Sequence, residues 1–471
     1  MNPKINLSIS SDKRKVMVMP EKEEDEKKEN NGSDVFAPIH VDTREYCDIC
    51  DEMKTSLVKC NHEPSLIVQN RTKLIVLGCI AALALFSICV IGEELISRRF
   101  NRKKLSFHSQ RQQIYEVMSR RPKPVGISSP ITNENGLFWS PFIEAAVSPG
   151  LNDIETDIIM KKLREKRVSK ALKPDWLHCG RDKNRYVIFE DGSEACSRNR
   201  EPRFIQGEVM AFYLARFIGL RNTPAVVLSK LSSKQWKSVD LEEPVIDGTP
   251  EITALIQWIP NLVKDIMPQV IRNRIIPYMD ESETSVPLPP ISGKSFELAE
   301  MSNEELSTLI QWGDMIIFDY LTGNFDRVAS MQDAAVREKR PSILKETIHN
   351  LVRSTDTSSL WLIDNESAFL SGYSLMYEEE KGERFLDFHA KALGSLCVFR
   401  RRTIERLEFL EKQTLNPAEL LLGFINKREP LFKELPPIQL DSLFSAKFKE
   451  RIFEVMEWFR YCKDRSPLVM A

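Results

Sequence analysis

The chain carries almost no net charge: 66 Lys and Arg stand against 68 Asp and Glu in 471 residues, a formal balance of −2. A protein that wraps nucleic acid needs a basic surplus to neutralise phosphates, so nothing in the charge points to a nucleic-acid binder. Glycine is scarce, 18 residues in all, and no G-x-G-x-x-G loop occurs. Gly180 is the only glycine in "CGRDKNRYVIFE". A glycine-rich phosphate cradle of that type is therefore excluded. No segment repeats, which removes solenoids and propellers. The 6 histidines are His40, His62, His108, His178, His349 and His389, and from His108 onward they lack metal-ligand spacing and read as structural.

Hydrophobic residues make up 42% of the chain, ample for a large core, and the length suggests two or three units. Leu74 to Gly92, "LIVLGCIAALALFSICVIG", carries no charge at all. At about 1.5 Å per residue such a helix approaches the roughly 30 Å of a bilayer core. We read it as one transmembrane signal-anchor helix, 74–92; too much chain precedes it for a cleaved signal peptide. Arg71 and Lys73 flank one side, while Arg98, Arg99, Arg102, Lys103 and Lys104 flank the other. Taken alone, the positive-inside rule would put the C-terminal part in the cytoplasm.

Residues 1–73 form a tail that reads as disordered, with "PEKEEDEKKENNGSD" too charged to build a core. Cys47, Cys50, Cys60 and His62 present four soft ligands, but their tight second spacing and lack of a surrounding module favour incidental or lipidated cysteines. Residues 93–134 read as a basic stem, and from "GLFWSPFIEAAV" onward the chain becomes globular. "RYVIFEDGSEACSR" predicts a β-hairpin about an Asp-Gly turn. "IQGEVMAFYLARFIGL" and "ELSTLIQWGDMIIFDYLTG" predict helices ending at Gly219 and Gly323. "VPLPPISG" reads as a proline-rich loop, "DAAVREKRPSILKE" as a charged surface loop, and the last hundred or so residues as amphipathic helices. Strands first and helices afterwards predict an α+β protein with two lobes, 135–260 and 261–465.

Two apolar stretches, "IIFDYLTGNFDRVAS" and "SLWLIDNESAFL", each deliver an aspartate to the lip of the core. Loop aspartates commonly cap helices or turns. Together with Arg198 after the second hairpin strand and Glu208 on the next helix, Asp326 and Asp364 compose the parts of a phosphotransfer site. Asp364, helped by Glu208, suits a hard divalent ion. Asp326 suits an acceptor hydroxyl, orienting it and taking its proton.

The order and wording of "CGR…DG…AC.R…IQGE…YLAR..GL", "QWIPNL", "HNLVR", "LIDNESAFLSGY" and "GSLCVFRRRTIERL", between Cys179 and Arg406, resemble the Four-jointed family of Golgi secretory-pathway atypical protein kinases. The resemblance implies a two-lobed atypical protein-kinase-like fold behind one transmembrane helix. It implies a single-pass type II Golgi membrane protein with a lumenal catalytic domain, with release by stem cleavage left open. It implies ATP as donor with Mn2+ or Mg2+, and Ser/Thr hydroxyls of Fat- and Dachsous-type extracellular cadherin repeats as acceptors, a role in planar cell polarity and growth. Asp326 in "GNFDR", flanked by Asn324 and Arg327, matches the catalytic aspartate. Asp364, with Asn365 and Glu366 in "DNE", takes the metal-binding place. Glu208 matches the helix glutamate, and Arg198 falls where a strand lysine is expected, a departure that changes the grip on phosphate. The alternatives are a catalytically weak pseudokinase-like binding protein, a secretory-pathway sugar kinase, and a membrane scaffold acting through its cysteine-bearing tail.

After the apolar segment four cysteines remain. Cys179 and Cys196 flank the predicted hairpin and can bridge it, leaving Cys397 and Cys462 to tie the last helices; four buried free thiols are the alternative. Sequons lie at Asn6, Asn31, Asn70 and Asn365, and a glycan at Asn365 would block the cleft, so we expect it bare.

Overall fold

The computed structural model describes residues 132–465 apart from 149, 176–177, 238, 242–250 and 276–287. The expected tail, membrane helix, Cys47/Cys50/Cys60/His62 group and all of the expected stem before residue 132 lie outside the described residues; its last two residues, Asn133 and Glu134, form a strand. Among the described residues no helix is long and apolar enough to cross a membrane.

The chain enters through β1 (Asn133–Glu134) and β2 (Phe138–Trp139), an antiparallel pair, then α1 (Pro141–Ala146) and α2 (Asp153–Glu165). Asn152 and Glu155 close a capping box on α2, satisfying two backbone donors that the first turn leaves free. A six-stranded sheet follows: β3 (Val168–Leu172), β4 (Arg185–Phe189), β5 (Glu194–Arg198), β6 (Val226–Lys230), β7 (Asp240–Leu241) and β8 (Ile252–Gln257), in the order β6-β8-β5-β4-β3-β7. The expected hairpin is β4–β5, with Tyr186 opposite Cys196. Its turn carries Gly192 at φ 79°, a conformation that glycine adopts without strain.

Helix α3 (Pro202–Ile218) runs behind the sheet, opened by Pro202 and closed by Gly219 in the left-handed conformation. From Ile205 to Ala215 every residue is buried, because α3 has the sheet on one side and C-terminal helices on the other. The second region comprises β9 (Leu262–Ile266), α4 (Gln269–Ile275), β10 (Ile291–Ser292), α5 (Phe296–Glu300), α6 (Asn303–Thr322), α7 (Val328–Arg337), β11 (Thr347–Ser354) and β12 (Leu360–Leu362). It continues with α8 (Leu370–Tyr377), α9 (Gly382–Gly394), β13 (Leu396–Cys397), α10 (Arg401–Lys412), α11 (Pro417–Arg428) and α12 (Leu443–Arg465). Strands β12, β11 and β9 form a small antiparallel sheet. Helix α6 is the axis of this region, started by a Ser302/Glu305 capping box and packed against α1, α9 and α12. Leu309, Ile310, Trp312, Phe318 and Leu321 are almost wholly buried on it. Each such side chain contributes about 1.5–3 kcal/mol of transfer free energy, which fixes the helix end that carries the site.

Two sequence expectations are corrected. "DAAVREKRPSILKE" is not a loop: its first part completes α7 and "PSILK" forms a 3-10 turn. Val328, Met331 and Ala335 supply a buried stripe at helical spacing, which the outward charges conceal. Within "VPLPPISG", Ile291 and Ser292 are strand β10, held parallel to Leu396 and Cys397 of β13.

The disulfides are Cys179–Cys196 and Cys397–Cys462, the pairs expected from the sequence. They span 17 and 65 residues, so chain-entropy arguments assign them about 3 and about 4 kcal/mol.

Candidate active site

Four elements bring side chains to one cleft. Arg198 ends β5 opposite Ala254 of β8. Glu208 lies in the second turn of α3. Its neighbour Gly207 passes so close to the loop after β12 that a Cβ there would lie 2.6 Å from the Glu366 carbonyl oxygen and 2.9 Å from that of Ala368. Only glycine permits that approach, and the approach aims Glu208 at Arg198. Asp364 follows β12 at φ 53°, a left-handed conformation that Asp and Asn tolerate better than most residues. Asp326 sits just beyond α6, whose chain turns at Gly323.

Arg198 is the hub. Its Nη1 is 2.6 Å from Asp364 Oδ1 and also donates to Glu366 Oε2, while Nε is 3.7 Å from Glu208 Oε2. Glu366, only 1% exposed, receives Arg200 Nη1 as well, and Arg181 Nη1 lies 3.4 Å from it. Asn365 points the other way: its Nδ2 donates to the Leu362 carbonyl at 3.0 Å and to Glu208 Oε1 at 3.4 Å. With Asn365 itself 1% exposed, the sequon has no face for a glycan.

Beneath this layer Arg327 is wholly buried. It donates to Asp319 Oδ1 on α6, to Asn365 Oδ1, and to the carbonyls of Asn350 (3.0 Å) and Ile363 (3.2 Å). One side chain thus staples α6, β11 and the loop after β12. Asp326 is half-buried and within electrostatic reach of Asp364, Arg181 and Glu366. Its backbone N–H donates to Asn324 Oδ1 at 3.0 Å, and its Oδ2 accepts from Asn350 Nδ2 at 3.1 Å.

The electrostatics follow from this placement. Burial opposes the Arg198 cation, yet Asp364, Glu208 and Glu366 together raise its pKa. Burial pushes Glu208 up to about 7 against the attraction of Arg198, with Asp364 and Glu366 adding to the rise. Asp326 is raised by burial and then by Asp364, and Arg181 partly offsets this. These are crowded carboxylates, a state that a cation relieves.

The donor set fits a hard divalent cation. Glu208 Oε2 is buried without a hydrogen-bond partner, while Asp364 Oδ1 is held in an ion pair by Arg198 Nη1 at 2.6 Å; both are carboxylate oxygens. Among the described residues no group of three or more His, Cys, Asp or Glu could hold a metal ion. Such a cation would therefore draw its remaining ligands from phosphate oxygens and water, the usual habit of Mg2+ at nucleotide sites.

Of the residues expected from the sequence, Arg198, Glu208, Asp364 and Glu366 come together directly. Asp326 stands beside them, braced by Asn324. Arg327 and Asn365 are brought near but face inward. Sequence reasoning missed Arg181, Arg200, Asn350 and Asp319. Arg181 and Asn350 lie in segments already singled out ("CGR", "HNLVR") and Arg200 between two of them ("AC.R" and "IQGE"), but nothing local pairs them with acids far along the chain.

Residues 155–465 match the model of the Four-jointed box protein middle domain. The chain is 33% identical over 326 residues to human "Four-jointed box protein 1", covering 68% of this chain and 69% of that one. It is 29% identical over 326 residues to the Drosophila melanogaster "Extracellular serine/threonine protein kinase four-jointed", covering 59% of this chain and 52% of the fly protein. Among solved structures, the crystal structure of the Golgi casein kinase with Mn/ADP bound is similar at 12% identity and a TM-score of 0.39, covering 67% of this chain and 78% of that one. The family match spans the region from α2 to α12, site included, and the chain belongs to the Four-jointed box family.

Proposed function

We propose that this chain is an ATP-dependent serine/threonine protein kinase of the secretory pathway. The observation that carries the reading is the convergence of Arg198, Glu208, Asp326 and Asp364 from four separate elements onto one cleft. Arg198, Arg200 and Arg181 supply the positive charge that a nucleotide's phosphates require. Asp364, with Glu208 beside it, would hold Mn2+ or Mg2+, an ion that would supply charge neutralisation for the nucleotide's phosphates. Asp326 orients the acceptor hydroxyl and takes its proton as oxygen bonds to the γ-phosphorus and the bond to the ADP oxygen breaks. Its raised pKa brings the carboxylate closer to the range in which a base works near neutral pH. Asn324 and Asn350 fix its direction, and Arg327 holds the three backbone segments in register.

The family membership supports a finer reading: a single-pass type II Golgi membrane protein, anchored by 74–92 with 1–73 cytoplasmic, 93–134 as lumenal stem and two lobes dividing near residue 260. The acceptors in this reading are Ser/Thr hydroxyls of Fat- or Dachsous-type cadherin repeats, in planar cell polarity. The pairing of all four cysteines among the described residues favours an oxidising compartment. A nucleotide-binding protein without turnover is favoured by one observation, the engagement of Arg198 by three carboxylates.

The test is phosphate transfer from labelled ATP with Mn2+ to a cadherin-repeat acceptor, wild type beside Asp364→Asn, a variant that keeps the left-handed backbone acceptable. Phosphoserine or phosphothreonine from the wild type and none from the variant is the expected result. Nucleotide binding without transfer to any acceptor would replace this reading with the non-catalytic one.

A further inference from the structure

His389 is a buried imidazole on α9 that the scheme above does not use. Both ring nitrogens are engaged. Nε2 lies 3.2 Å from the Asn324 carbonyl oxygen, and Nδ1 lies 3.2 Å from Arg451 Nη1. A guanidinium can only donate, so Nδ1 accepts and the ring proton resides on Nε2, where it donates to Asn324. Burial, then the Arg451 charge, hold the His389 pKa well below its usual value, so the ring stays neutral.

Arg451 comes from α12, 1% exposed and without a carboxylate among its hydrogen-bond partners. It donates to the Tyr320 carbonyl at the end of α6, to Tyr377 Oη at 3.0 Å and to Met376 Sδ at 3.2 Å. Its guanidinium carbon lies 4.7 Å from the Tyr320 ring centre and 5.6 Å from those of Tyr373 and Tyr377, an aromatic cage for a buried cation.

The carbonyl that His389 holds belongs to the residue whose Oδ1 takes the Asp326 N–H. On that side the loop borders a cavity of about 20 Å³ lined in part by Asp319, Asn324 and His389. Resting on the kinase reading above, we propose that His389 is a positioning residue for phosphoryl transfer: with Nδ1 pinned by Arg451, its Nε2–H fixes the loop that aims Asp326. Helix α12 is thereby coupled to the catalytic loop. Asp387 and Lys391, the other charged groups nearby on α9, pair with each other and leave His389 to Arg451.

The experiment uses the full-length chain, with kcat and KM for ATP measured for wild type, His389→Ala and His389→Gln. Glutamine can donate to Asn324 and accept from Arg451, so it restores both bonds. We expect kcat to fall about 10²-fold in His389→Ala, with KM for ATP unchanged and most of the loss recovered in His389→Gln. Equal losses in the two variants, or a kcat for His389→Ala within twofold of wild type, would overturn the proposal. Nitrogen-15 spectra of histidine-labelled wild type test it without activity: His389 should show a proton on Nε2, a bare Nδ1 and no titration between pH 5 and 8. A proton on Nδ1 would overturn it. A wild type that moves no phosphate from ATP overturns the kinase reading instead, whereas an active wild type with an equally active His389→Ala overturns only this proposal.

Discussion

Arg198 and Arg327 are both buried and both tie distant segments together, yet one network is closed and the other open. Arg327 meets one carboxylate, two carbonyls and one amide oxygen, and each suits a guanidinium donor. Arg198 meets three carboxylates, pairing with Asp364 Oδ1 at 2.6 Å but leaving Glu208 Oε2 without a hydrogen-bond partner, 3.7 Å from its own Nε. A satisfied network holds a shape; one with a spare acceptor and crowded charge is built to receive something. The difference separates the residue that braces the cleft from the residue that works in it.

Substitutions should split the two. Asp364→Asn removes an acceptor from the open network only, so kcat should drop about 10³-fold, the size of effect that loss of a metal ligand or transition-state contact produces, with thermal unfolding little altered. Arg327→Met leaves Asp319 buried and unpaired and should cost about 3–5 kcal/mol in denaturant unfolding, whatever it does to activity. If both variants lost stability alike and activity alike, the distinction between the two networks would fail. Gly207→Ala comes next: its Cβ must displace the Glu366 and Ala368 carbonyls, at about 1–3 kcal/mol with a partial loss of kcat. The smallest effect belongs to Arg181→Ala. Arg181 lowers the pKa of Asp326, so without it the acid limb of the kcat profile should move to higher pH. A limb that moved to lower pH would reverse the assignment of Asp326 as the base.

Much of this was legible before the structure. The glycines that end α3 and α6 mark the two helices, and the Asp-Gly turn marks β4–β5. The four residues at the centre of the cleft sit beside those elements, where local pattern can find them. Three kinds of fact were hidden. Helix α7 was masked because its charged face outweighs a narrow apolar stripe. Strands β10 and β13 are two residues each and exist only through a partner a hundred residues away. The pairing of Glu366 with Arg198, Arg200 and Arg181 depends on α3 and β5 meeting the loop after β12, and on the Cys179–Cys196 bond that fixes the loop bearing Arg181; no local pattern encodes such a meeting.

The most direct test of the open network is calorimetric titration of ATP into the full-length chain, with and without Mn2+, for wild type, Asp364→Asn and Asp326→Asn. The account predicts binding by the wild type that requires Mn2+, its loss in Asp364→Asn, and its retention in Asp326→Asn. Equal binding by all three proteins irrespective of Mn2+ would contradict it.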